Sequence, residues 1–263
     1  MGSERAVRVV LPTGLGINCE AETAHAFKTA GAQVDALHVN DLIAEPARLA
    51  QAQLLVLAGG FSFGDHLGAG RALANRLRCR LAHALESFIA DGGLVLGICN
   101  GFQTMVRLGL LPDGRPGPQR CTLAHNRQGT FYDGWVTLRA EPRSPCLYTR
   151  GIERLEVPVR HGEGRLLAPP ELLEQLESAA LIPLRYIDPQ SGDPSEQFPA
   201  NPNGSLAAAA ALCDASGRVF GLMPHPEAFL YPENHPQWRR RRASAQGDGL
   251  QIFVNAVAAC RGR

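Results

Sequence analysis

Leu94-Val95-Leu96-Gly97-Ile98-Cys99-Asn100-Gly101-Phe102-Gln103 is the stretch that decides the fold. Residues 94–97 read as a short apolar strand, and 102–108 has helical spacing. Between them Gly-x-Cys-x-Gly has the form of a nucleophile elbow, a turn so tight that small residues must flank the nucleophile. Such a turn presents Cys99 at the carboxyl edge of a sheet, where open α/β sheets bind their ligands. The Asn100 N–H and the start of the following helix favour a thiolate and steady an oxyanion. A free cysteine is more often a small, inert core residue. The two glycines and the strand–turn–helix setting weigh against that at Cys99.

Working outward, residues 6–11 form an apolar, β-branched run ending at Pro12, followed by turn residues to Asn18. Residues 20–30 repeat at helical spacing and stop at Gly31, and 34–39 and Leu54–Leu57 read as strands. A glycine-rich loop over 59–70 leads into a long helix with Leu73, Leu77, Leu81, Leu85 and Phe88 on one face, closed by Asp91-Gly92-Gly93. Strands apolar on both faces, separated by helices, indicate a parallel sheet covered on both sides. The fold class is therefore α/β: an open, mostly parallel sheet with helices on both faces and the elbow after a central strand.

The second half adds antiparallel strands. Its β-like runs are 135–138, 155–159 and 218–223. Residues 206–212 are ambiguous, their alanines favouring helix and the flanking Asn203-Gly204 and Ser216-Gly217 favouring strand; strand is the reading adopted. The proline-rich stretches 194–202 and 224–236 are loops, the four arginines at 239–242 a solvated surface run, and 249–259 a closing helix. With no repeat and no linker, residues 1–263 are expected to form one domain.

A thiolate nucleophile needs a base, and the base an orienting partner. Met223-Pro224-His225-Pro226-Glu227 offers both. The two prolines hold the chain extended, so His225 and Glu227, two residues apart, share a face. His25, His38, His83 and His235 read as ordinary hydrogen-bonded residues, with His125 and His161 intermediate.

Composition narrows the function classes. The chain has 263 residues, 26 basic against 25 acidic, a net charge of +1. That balance gives no case for nucleic-acid or anionic-membrane binding. Lys28 is the sole lysine, and no P-loop motif is present, so ATP is not held here in a P-loop. Seven scattered cysteines without a C-x-x-C pair point to reduced thiols and a cytoplasmic address. Cys121 and His125 lack a second pair, so no zinc site and no other metal is expected. The first residues carry no apolar leader, and the longest apolar run, 206–213, is far short of the ~20 residues that span a bilayer.

Five motifs then fall in one family's order: Gly-Gly-Phe-Ser-Phe-Gly-Asp at 59–65, Gly-Ile-Cys-Asn-Gly-Phe-Gln at 97–103, His-Gly-Glu-Gly at 161–164, Asn-Pro-Asn-Gly-Ser at 201–205 and Met-Pro-His-Pro-Glu at 223–227. Together they resemble the triad-type (class I) glutamine amidotransferases, and within them the glutaminase subunits of phosphoribosylformylglycinamidine synthases, from de novo purine biosynthesis. The resemblance runs from about Val7 through the terminal helix and includes Gly-Asp-Gly-Leu at 247–250.

It implies that Cys99 attacks the side-chain amide of L-glutamine to form a γ-glutamyl thioester. His225 would protonate the departing ammonia and later activate water, with Glu227 orienting it. Backbone N–H groups at Gly60 and Asn100 would hold the oxyanion, while Gly59, Phe61 and Gln103 shape the glutamine pocket. His161 and Arg71 would lie near that pocket or at a subunit interface. Ammonia would pass to a separate synthetase subunit that binds ATP, Mg²⁺ and formylglycinamide ribonucleotide, so this chain needs no cofactor of its own; a third small subunit is left open. Ala228, where many members have arginine, and His66 depart from the family pattern and bear on partner contacts.

Two other readings compete. A free-standing cysteine hydrolase or peptidase of the same elbow fold would carry a His beside the elbow, where this chain has Asn100. A non-catalytic partner subunit would have lost one of Cys99, His225 and Glu227, and all three stand.

Overall fold

The computed structural model describes residues 6–240 and 245–262. The first five residues and Arg241 and Arg242, the latter half of the arginine run, lie outside the described residues. The chain opens with β1 (Arg8–Thr13), α1 (Glu20–Thr29), β2 (Gln33–His38), α2 (Val39–Ala44), β3 (Leu54–Leu57), α3 (Arg71–Ala90), β4 (Leu94–Ile98) and α4 (Asn100–Leu108). It continues with β5 (Thr122–His125), β6 (Tyr132–Ala140), β7 (Arg154–His161), β8 (Glu163–Leu167), α5 (Pro170–Ser178) and β9 (Leu184–Tyr186). The last elements are β10 (Ala211–Cys213), β11 (Val219–Leu222) and α6 (Leu250–Arg261).

Six strands form the main sheet in the order β10-β11-β4-β3-β1-β2. All neighbours are parallel except β10 and β11. Every residue of β3 and β4 is buried, as an apolar run covered on both faces demands. The helices fall into two packed groups, α1 with α6 and α3 with α4. Phe27 and Phe253 meet edge-on between α1 and α6, their ring centroids 4.9 Å apart. Leu73, Leu77, Leu81, Leu85 and Phe88 turn the buried side of α3 inward, as their spacing predicts. The two smaller sheets are antiparallel, β5-β8 and β7-β6-β9. One apolar cluster runs through all of this, from Val7 to Cys260.

Two segments differ from expectation. Residues 206–212 are not one strand: Leu206–Ala208 is a 3-10 turn with Ala207 and Ala208 at φ near +52° and +53°, Ala209 makes a single bridge to Arg185, and the strand itself begins only at Ala211. The cause lies in polar side chains just upstream. Asn201 Oδ1 accepts from the Gly204 and Ser205 N–H groups, and Asn203 Oδ1 accepts from the Ser205 N–H and hydroxyl. Local side-chain bonds of this kind compete with the ladder and delay it. The second difference is α5, which the sequence patterning passed over; it starts on Pro170 and buries Leu172 and Leu176.

Candidate active site

β1, β3, β4 and β11 run parallel, and the loops after their carboxyl ends converge on one cavity of ≈270 Å³. Cys19 follows β1, Gly60 and Phe61 follow β3, Cys99 follows β4 and His225 follows β11; all line the cavity. This is the crevice that open α/β sheets offer.

The turn at Cys99 is as tight as its glycines predict. Cys99 has φ +49° and ψ −103°, an unusual conformation for a residue with a side chain. It is held because the Cys99 N–H donates to Leu222 O at 2.8 Å and the Gln103 N–H to Cys99 O at 3.0 Å. A Cβ on Gly101 would stand 1.8 Å from Leu57 O, and one on Gly97 2.3 Å from Met105 Sδ. Only glycine lets α4 start against β3. The Asn100 side chain turns away from the cavity, accepting from the Ser62 N–H at 3.0 Å and donating to Gln103 Oε1 at 3.0 Å. Gln103 in turn donates to Glu163 O at 2.7 Å and lines the cavity.

His225 and Glu227 do meet, but not along an extended segment. Pro226–Ala228 is a 3-10 turn, with Pro226 at the helical position its fixed φ suits. The turn brings His225 Nδ1 to 2.6 Å from Glu227 Oε1, with both residues buried. The loop is fixed from outside: His225 donates its N–H to Pro158 O at 2.8 Å, and a Cβ on Gly249 would lie 2.0 Å from Pro226 O. The Gly-Asp-Gly-Leu segment at 247–250 thus serves as a bed for the histidine loop. Burial alone would lower the His225 pKa; the Glu227 carboxylate and then Cys99 outweigh it and raise it well above its ordinary value. The other ring nitrogen, Nε2, is buried without a hydrogen bond of good geometry, and the Cys99 and Cys19 thiols act on the ring.

His161 enters the same cavity from the end of β7. Asn126 donates through Nδ2 to His161 O and Thr130 O, so its Oδ1 accepts from His161 Nδ1–H at 3.1 Å. That leaves Nε2 as a buried lone pair. Burial, then the nearby His225 charge, lowers the His161 pKa to about 3, so the ring is neutral. Gly59 packs under the centre: a Cβ there would lie 2.9 Å from His225 Cε1 and 3.2 Å from Cys19 Sγ. An antiparallel bridge pins the loop after β3 through Asn18 N–H to Gly59 O and Phe61 N–H to Gly16 O, which leaves the Gly60 N–H unused by the bridge. Arg71, by contrast, is exposed at the start of α3 and does not line the cavity. His125 is exposed, 3.7 Å from Glu163.

Several cavity residues escape sequence reasoning. Cys19 and Glu22 arrive from the start of α1, Asp65 from the glycine-rich loop, Arg160 from the end of β7 and Glu163 from the start of β8. Asp65 and Glu163 stand inside the quoted motifs and could have been noticed there; Cys19 gives no local signal. Burial, then the Glu163 charge, raises the Asp65 pKa.

A model of the CobB/CobQ-like glutamine amidotransferase domain matches residues 6–260. The chain belongs to this amidotransferase family. A phosphoribosylformylglycinamidine synthase subunit PurQ from Dehalococcoides mccartyi is 45% identical over 242 residues, covering 92% of this chain and 93% of that one. Its counterpart from Methanococcus maripaludis is 41% identical over 262 residues, 95% of this chain and 96% of the other. Among solved structures, PurLQS from Thermotoga maritima superposes with a TM-score of 0.71 at 27% identity, covering 96% of this chain and 98% of that one. The amidotransferase has no helix, among the described residues, long and apolar enough to cross a membrane.

Proposed function

We propose that this chain is the glutaminase subunit of a phosphoribosylformylglycinamidine synthase. The observation that carries the reading is the His225–Glu227 contact of 2.6 Å opening onto the cavity that the strained Cys99 lines. A carboxylate fixes the imidazole through Nδ1, which directs Nε2 toward the thiol. Relatives named PurQ support the choice of this amidotransferase over others.

Cys99 sulfur attacks the side-chain carbonyl carbon of L-glutamine, forming a C–S bond. The Gly60 and Asn100 N–H groups receive the oxyanion. As the C–N bond breaks, His225 gives its proton to the departing nitrogen and ammonia leaves a γ-glutamyl thioester. Neutral His225 then removes a proton from water; the hydroxide displaces sulfur, and glutamate departs. Gly59, Phe61 and Gln103 shape the glutamine pocket, and neutral His161 supplies it with an acceptor at Nε2.

The ammonia goes to a synthetase chain that converts formylglycinamide ribonucleotide to formylglycinamidine ribonucleotide; ATP and Mg²⁺ belong to that chain. The solved PurLQS assembly supports a synthetase partner and leaves room for a third small subunit. Residues 1–263 act as one amidotransferase domain, a reading supported by the single apolar cluster, and the address is cytoplasmic. Mixing this chain with its synthetase tests the reading: glutamine hydrolysis rises on mixing, and an unchanged rate would contradict a subunit role.

A further inference from the structure

We propose that His161 reads the amide nitrogen of the substrate: its Nε2 accepts an N–H of the glutamine carboxamide, and so selects a primary amide over an ester at the same thiol. His161 is only 2% exposed, yet its ring lines the cavity with Cys99 and His225. Asn126, itself buried, fixes which ring nitrogen carries the proton. It donates through Nδ2 to His161 O at 2.8 Å and Thr130 O at 3.0 Å, so its Oδ1 takes the His161 Nδ1–H at 3.1 Å. The same edge of the ring is seated on Gly164, where a Cβ would lie 2.9 Å from Cε1 and 3.0 Å from Nδ1. Two members of the His-Gly-Glu-Gly motif, first and last, thus form one unit. Nε2 is left as a buried acceptor with no donor from the protein. Such an atom is costly to leave unpaired and calls for a partner. A donor brought by the substrate supplies one.

Glutamine carries two kinds of N–H, on its carboxamide and on its α-ammonium group. The Gly60 and Asn100 N–H groups meet the carboxamide oxygen from the β3 loop and the elbow, whereas His161 and His225 enter from the ends of β7 and β11. The nitrogen, on the other branch of the carbonyl carbon, faces the two histidines. Cys99 Sγ stands 3.9 Å from Arg160 O, one residue before His161, so the attacked carbon lies against this wall. The α-ammonium fits it badly. The His225 charge that acts on His161 would repel a cation, and the Glu22 and Asp65 carboxylates of the same cavity suit one better.

Burial and the His225 charge hold the His161 pKa at about 3, so Nε2 stays an acceptor and takes no proton from the departing ammonia. His225 remains the proton donor. An ester places an oxygen where the amide has its N–H, and sets one lone pair against another. A site built around a substrate N–H discriminates strongly against an analogue that lacks it. This inference rests on the glutaminase reading above and deepens it.

The test compares L-glutamine with the γ-methyl ester of L-glutamate, on the complex of the full chain with its synthetase. Attack of Cys99 on the ester forms the same thioester and breaks the C–O bond; methanol leaves with the proton from His225. Native chain, His161→Leu and His161→Gln are each assayed with both substrates on one preparation, so the ratio of the two kcat/KM values does not depend on how much of a variant is folded. In His161→Leu the glutamine-to-ester ratio should fall at least about 10-fold. His161→Gln, which keeps an acceptor, should retain a larger ratio than His161→Leu. An equal fall on both substrates is what lost packing gives, or a bond to the α-ammonium that both carry, and would overturn the proposal. A His161→Gln ratio no better than that of His161→Leu would do the same. A native complex that hydrolyses neither substrate would instead strike the glutaminase reading itself.

Discussion

His225 Nδ1 stands 2.6 Å from Glu227 Oε1, and the carboxylate side chain is wholly buried. In so dry a setting the pair is strongly coupled. The Glu227 charge is the leading reason that His225 holds its proton well above the ordinary imidazole range of 6.5.

The first prediction concerns that proton. Because the folded-state pKa is raised, the pair's contribution to stability is full below about pH 6.5 and is lost as pH rises through the folded value. Nitrogen NMR of the His225 ring should show an imidazolium well above pH 6.5 in the native chain. In Glu227→Gln the midpoint should drop, and glutamine-dependent turnover should fall by roughly 10²–10⁴-fold. An unmoved midpoint would mean that some other group holds the proton.

His161 titrates in the opposite sense. Its folded pKa is lowered to about 3 while the unfolded chain takes up the proton near 6.5. Its contribution to stability is therefore present above about pH 6.5 and is eroded as pH falls toward 3. Between pH 7 and pH 5, native chain should lose more stability in urea than His161→Gln does. Equal losses would place the titration elsewhere.

Gly101 sets the start of α4 against β3. Gly101→Ala puts a methyl where Leu57 O would be 1.8 Å away. Strand and helix must part, at a cost of at least about 1–3 kcal/mol. Urea midpoints of the variant measure this, and a wild-type midpoint would show that the two elements can separate freely.

Much of the site was legible because it is local in sequence. Gly97, Cys99 and Gly101 sit within one turn, and strand, turn and helix each carry their own periodicity. His225 and Glu227 are two residues apart, and their contact was foreseen, although the backbone reaches it by a 3-10 turn that Pro226 favours. The remainder is non-local. Cys19 meets the His225 ring only because β1 and β11 end at the same sheet edge, and nothing in residues 13–19 signals it. His161 is made a neutral acceptor by Asn126 from a separate strand end. The misread 206–212 segment turns on side-chain bonds from Asn201 and Asn203, which no propensity scale for alanine contains. α5 escaped because Pro169-Pro170 reads as a loop until Leu172 and Leu176 are seen facing inward.

The central claim is that Cys99 alone opens glutamine, while the acceptor chemistry belongs to another chain. Cys99→Ala keeps a small residue at the elbow, and the complex formed with the synthetase should be assayed with glutamine and with ammonium as nitrogen source. The account predicts that glutamine-dependent formylglycinamidine ribonucleotide formation falls by at least about 10³-fold while ammonium-dependent formation persists at the native rate. Continued turnover of glutamine by the variant would contradict it.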